Sequence, residues 1–119
     1  MKYEWVDDYC LAKKGVEKDY KVEWSMTRYM IHGKMFLSLG GDKYGKPIYT
    51  VKLEPEHGIL LREQFPEIVP GYYSNKMHWN SVYVDGNVSD EMMREMVDEA
   101  YSIVFAALPK KVQAEIEAE

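Results

Sequence analysis

Residues 89–108 place apolar side chains along one side of a helix. Met93, Met96, Val97, Ala100, Val104, Ala107 and Leu108 recur at helical spacing, which lines them up on one face of a 3.6-residue turn. Ser89 stands at the N-cap, Asp90 and Glu91 fill the first turn where the helix dipole favours negative charge, and Pro109 closes the run. A helix with a single apolar stripe must bury it against a second layer. That layer is announced at Met26, where the period switches from helical to alternating. Thr27, Tyr29 and Ile31 alternate with Arg28, Met30 and His32, a turn follows at Gly33-Lys34, and "MFLSLG" resumes the extended pattern, so residues 26–40 predict a hairpin. The β-branched and aromatic run "IYTVKL" predicts a third strand.

The remaining segments fit around this frame. Trp5, Val6, Tyr9 and Cys10 predict a first helix ended by Gly15, with Asp7 and Asp8 facing solvent. Pro55 opens another helix that stops before Pro66, with Leu61 and Phe65 on its buried face and Gly58 weakening it a little. An irregular stretch from Pro70 leads into a strand over residues 79–84, ending at Asp85-Gly86; the tail "KKVQAEIEAE" is either a short separate helix or frayed. The order α-β(3)-α-β(2)-α predicts one α+β domain over residues 1–119, a two-layer α/β domain with an antiparallel sheet and helices on one face.

Composition removes several function classes. With 119 residues, 46% of them apolar, the chain can fill one core. No apolar run approaches the roughly 20 residues needed to cross a membrane, and "MKYEWVDDYCLAKK" lacks the apolar core of a secretory signal, so a cytoplasmic location is expected. The single Cys10 forms no intrachain disulfide and no zinc-ligand spacing, and its place on the apolar helix face predicts a buried, inert thiol. His32, His57 and His78 lie on different elements without the i, i+4 spacing of a helical metal pair. "GGDKYGKP" resembles a phosphate loop only superficially, because Gly45-Lys46 is followed by Pro47 and a strand instead of a helix; a mobile hairpin loop is expected. With no nucleophile elbow and no dinucleotide fingerprint, the expectation is a non-enzymatic protein without cofactor or metal.

The net charge of −5 argues against coating nucleic acid by bulk attraction. Its distribution is uneven. Residues 25–53 carry Arg28, Lys34, Lys43, Lys46 and Lys52 against Asp42 alone, a local +4, whereas residues 85–119 sum to −6. This pattern fits either one basic binding face or ordinary solvated surfaces.

Four stretches carry a family resemblance: "GKMFLSLG" (33–40), "VKLEPE" (51–56), "LREQFPEIVPGYYSNKMHWNSVYVDG" (61–86) and "LPKK" (108–111). In their order and spacing the chain resembles the MmcQ/YjbR family of small bacterial proteins over nearly its whole length. The resemblance implies a two-layer α/β fold like that of secretion chaperones. It also implies DNA binding, through a likeness to a double-wing phage transcription-factor domain. Tyr73, Ser74 and Met77 depart from the usual pattern, and Met77 stands where a second base is frequent.

The residues then sort into three readings. Nucleic-acid binding, expected to be weak, would use Arg28, Lys34, Lys43 and Lys46 on hairpin loops to reach duplex phosphates, or an exposed tyrosine, Tyr72 or Tyr73, beside Lys76 to stack on single-stranded bases. A small-anion site would draw on Lys52, Asn75, Lys76 and His78. A protein-interaction adaptor would present Met92, Met93 and Met96 as an adaptable apolar surface. Beside each stands a plainer role: Lys52 and Lys76 as surface lysines, His78 as a structural hydrogen-bonding group, Asn75 and Asn80 as organisers of the turn, and Trp79 as core.

Overall fold

The computed structural model describes residues 2–71 and 75–119. Helix α1 (Val6–Leu11) leads into strand β1 (Val16–Lys21), a 3-10 turn (Val22–Trp24) and strands β2 (Met26–Ile31), β3 (Lys34–Gly41) and β4 (Pro47–Lys52). Then follow α2 (Pro55–Gln64), β5 (Ile68–Pro70), β6 (Trp79–Tyr83), α3 (Asp90–Ala106) and α4 (Lys110–Glu117). The six strands form one antiparallel sheet in the order β1-β2-β3-β4-β6-β5, with helices packed on one side. The α+β architecture is the one expected, with two additions to its order.

The first addition is β1, a fourth strand ahead of α2. Its sequence, VEKDYK, has no apolar alternation because it is an edge strand whose four central residues are exposed. The second is α4, a formed helix that seats Ile116 against Gly15; a Cβ there would stand 3.0 Å from the Ile116 side chain. The hairpin turn also falls one residue earlier than expected. His32 and Gly33, at φ 48° and 77°, form the two-residue connection between paired Ile31 and Lys34, since a tight hairpin needs left-handed backbone at both central positions.

Alternation along the strands assigns each side chain a face. Tyr29, Leu37 and Val51 are cross-strand neighbours pointing into the helical layer, where α3 crosses β3 and β4. A bulge shifts the register so that Met30 opposes Met35 and Tyr29 opposes Leu37; Phe36 is the extra residue. Phe36 thereby joins Leu37 in the core and meets the Tyr101 ring edge-on at 5.7 Å. From α3 the core takes Met93, Met96, Val97, Ala100 and Val104, with Leu108 beyond it, while Ala107 stays outside. Ser89 caps α3 as expected, accepting from the Met92 amide at 3.1 Å.

Asp7 departs from expectation. It turns back to the sheet, accepting from the Tyr29 hydroxyl at 2.8 Å and pairing with Lys18 at 2.7 Å. Both sheet edges are blunted against further pairing, β1 by its charges and β5 by its three-residue length and terminal Pro70. Among the described residues no helix is long and apolar enough to cross a membrane.

Candidate functional site

With α1, α2 and α3 on one side, the other face of the sheet carries no helix, and β2 still sends apolar side chains to it. Met26 and Met30 point away from the core on either side of Arg28. On β3 the same face carries Ser38 and Gly40, and on β4 it carries Ile48 and Thr50. The small residues of β3 leave a trough between the β2 methionines and Ile48. A Cβ at Gly40 would lie 3.5 Å from Met26 Cγ, in ordinary van der Waals contact. Trp24 and Met35 extend the lining to a groove of about 780 Å³, running from the Asp42–Gly45 loop at one end to Gly33 and Lys34 at the other.

One end is fixed by the β3–β4 loop. The loop expected to be mobile is braced through Asp42, whose Oδ1 accepts the Tyr44 and Lys46 amides at 2.8 and 2.9 Å and whose Oδ2 accepts the Tyr83 hydroxyl at 2.7 Å. Burial works against this charge, but the Tyr83 bond and the two amides outweigh it and hold the carboxyl below the usual carboxylate range. Trp24 lines the groove with an exposed ring, and the β3–β4 loop beside it carries a second exposed ring, Tyr44. Trp24 is 62% exposed and Tyr44 77%, with Lys43 Nζ 5.2 Å from the Tyr44 ring centre. Trp24 is presented by its own turn, which ends at Ser25 in left-handed backbone (φ 48°). In the floor, Thr50 and Ser81 share a hydroxyl–hydroxyl bond of 2.9 Å.

The expected site residues divide between two places. Arg28 and Lys34 line the groove, Lys43 and Lys46 lie in the loop that closes it, and Lys52 follows Ile48 and Thr50 by alternation on the same face. Arg28 is not a free cation. Asp19, its cross-strand neighbour, takes its Nε and Nη2 at 2.9 and 2.6 Å, and this pairing holds the Asp19 carboxyl low.

Asn75, Lys76 and His78 lie on the approach to β6. Asn75 Oδ1 accepts the Met77 amide at 2.8 Å and its carbonyl the Trp79 amide at 3.0 Å, the turn-organising role. Lys76 Nζ donates to the Gly71 carbonyl at 3.0 Å, bracing the loop, and the His78 carbonyl accepts from Leu53 at 2.8 Å. Lys52 has Trp79 as its cross-strand partner, as the neighbouring of the two strands requires, but Lys76 folds back to its own loop. Tyr72, together with Tyr73 and Ser74, lies outside the described residues.

The methionines expected to form an adaptor surface on α3 are core residues, Met93 and Met96 fully buried and Met92 packed against them. Met26, Met30 and Met35 are half-buried along the groove, and Met77, on the approach to β6, is exposed. A signal for them was present. In "MTRYMI" both alternating sets contain apolar residues, and a strand covered on one face only has no core position for the second set.

Two further polar contacts join elements. Arg62 of α2 donates to Oδ1 of the fully buried Asn80, and His57 Nδ1 lies 2.6 Å from Glu99 of α3, whose other oxygen accepts the Glu54 amide at 2.9 Å. Cys10 is fully buried, and burial pushes its thiol up to about 12. Among the described residues no three His, Cys, Asp or Glu side chains converge as a metal-binding group.

Comparison with known proteins returns the same fold and one family. The YjbR family model matches residues 11–103. Uncharacterized protein YjbR of Escherichia coli K12 is 31% identical over 103 residues, covering 87% of this chain and 86% of its own. Uncharacterized protein YbdF of Escherichia coli O157:H7 is 32% identical over 88 residues, covering 74% of this chain and 71% of its own. A Deinococcus radiodurans crystal structure with the domain DUF419 superposes with a TM-score of 0.83 at 25% identity, over 94% of this chain and 87% of that one. A Pseudomonas syringae structure superposes at 0.71 with 19% identity, over 87% of this chain and 98% of that one, a likeness of fold alone.

Proposed function

The chain belongs to the YjbR family, and from that premise and the layout of its charges we propose that it is a non-enzymatic, cytoplasmic domain that binds nucleic acid weakly on the helix-free face of its sheet. The observation that carries this reading is the separation of charge between the two layers. Arg28, Lys34, Lys43, Lys46 and Lys52 lie on or around the helix-free face and outnumber Glu17 and Asp19, which edge strand β1 places there, while Asp90, Glu91 and Glu95 of α3 are exposed on the helical layer. A polyanion can therefore approach the basic side without meeting the acidic helix. Weak binding follows from the few cations left for phosphate once Arg28 is held by Asp19, and from the net charge of −5.

Fluorescence anisotropy with labelled DNA across a salt series tests the reading. Binding is expected at low salt and falls as salt rises, because each phosphate contact releases counterions. Replacing Lys34, Lys43 and Lys46 together with Gln weakens it and flattens the salt slope. No binding of single- or double-stranded DNA at low salt refutes it.

A second reading, a protein partner on the same face, is favoured by Met26, Met30 and Met35, whose flexible side chains suit an adaptable apolar contact. A complex of that kind persists at salt concentrations that abolish phosphate contacts.

A further inference from the structure

We propose that the groove between β2 and β4 receives unstacked nucleobases, so that the nucleic acid bound on this face is single-stranded; this rests on the nucleic-acid reading above. A duplex keeps its bases stacked inside and presents phosphates to a flat protein face. Such a ligand would leave the half-buried Met26 and Met30 and the exposed Trp24 without a partner and would depend on cations that are few. The bidentate bond from Arg28 to Asp19 removes the guanidinium best suited to phosphate. A single strand brings both halves of what the face offers. Its bases are flat and largely apolar, matching a groove of about 780 Å³, and its phosphates match Lys34 at one end and Lys43 and Lys46 at the other.

Along β2 the groove runs from Met26 to Met30, about 13 Å at the rise of an extended strand, room for two or three successive bases. Trp24 stands at its entrance with its ring 62% exposed, and Tyr44 on the neighbouring loop is 77% exposed. Exposed aromatic rings beside a cationic groove are how sequence-tolerant single-strand binders hold their bases.

Anisotropy at one fixed low salt concentration, with five ligands of equal length, tests the proposal. The ligands are oligothymidylate, oligouridylate, an abasic strand, a DNA duplex and oligoglutamate. Thymidylate or uridylate is expected to bind more tightly than the other three, and the ratio of the two reports sugar preference within the single-stranded class. Trp24→Ala is expected to weaken single-strand binding roughly 5- to 150-fold, the range found for loss of a stacking ring, and Trp24→Phe to restore most of it. Tyr44→Ala, at an even more exposed ring, supplies a second variant independent of the Trp24 turn. Duplex, abasic strand or oligoglutamate binding as tightly as the single strands overturns the proposal and leaves an electrostatic site. Unchanged single-strand affinity in both alanine variants overturns it as well. Failure of every nucleic acid to bind overturns the underlying reading too.

Discussion

Asp7 shows how one carboxylate can join two layers. It sits on α1 but accepts from Tyr29 of β2 and pairs with Lys18 of β1. The bonds from Lys18 and Tyr29 hold its carboxyl below the usual range, and burial together with the Asp7 bond pushes the Tyr29 phenol well above its own. A carboxyl whose pKa is lower folded than unfolded stabilises the fold above its unfolded value, near 3.9. That stabilisation is lost as pH falls through the folded value. Chemical denaturation measured from neutral pH downward should therefore lose stability below about pH 4, and Asp7→Asn should flatten that acid limb. At neutral pH the substitution should cost about 1 kcal/mol or less, because both partners of the Lys18 pair are some two-fifths exposed, at 43% and 39%. The alternation of the first helix gives no hint of this role; only the approach of β1 and β2 makes Asp7 anything but a solvated acid.

Gly58 and β1 show how an element's sequence can mislead. In a helix, Gly is about 1 kcal/mol worse than Ala, so propensity marks Gly58 as a defect of α2. Its place in the fold gives it another role. A Cβ there would stand 2.9 and 3.0 Å from the Asn80 amide and 3.1 Å from an Arg62 nitrogen. Asn80 is fully buried and held by Arg62, so it cannot step aside. Gly58→Ala should therefore lower the melting temperature despite its better helix propensity, by several degrees if the net loss is about 1 kcal/mol; an unchanged or raised value would contradict close packing of α2 on β6. Strand β1 misleads in the other direction. Its charged sequence carries little of the strand pattern, and it is a strand because β2 supplies hydrogen-bond partners along its whole length.

At the scale of the whole molecule, the division into layers sets the electrostatics. The acidic C-terminal third lies with the helices, and most of the basic middle third lies on or beside the open face of the sheet. Glu17 and Asp19 of edge strand β1 share the open face, and Asp19 takes the Arg28 guanidinium. If nucleic acid binds there, Asp19→Asn should release Arg28 to a phosphate. Affinity should rise, and the slope of log K against log salt should steepen by about 0.7 for a single strand. An unchanged slope in a salt titration would place the bound phosphates away from Arg28. The same layering takes α3's methionines into the core and leaves Met26, Met30 and Met35 half-buried on the other face, because α3 has a sheet to cover and, among the described residues, no helix lies over the outer side of β2.

Local sequence was enough to specify the amphipathic α3 with its Ser89 cap, the alternation of β2, the β-branched and aromatic run of β4, the start of α2 at Pro55 and the burial of Cys10. Each depends on near neighbours in the chain, which the sequence displays directly. The 61–86 stretch likewise carried the family. What tertiary structure alone decided depends on register between distant segments. It paired Asp19 with Arg28 and turned Asp7 inward. It made Gly58 a contact surface for Asn80, and it opened a groove where Ser38 and Gly40 lie between the β2 methionines and Ile48. Residues far apart in the chain acquire a common environment only when strands align, and no local pattern encodes which of them will meet.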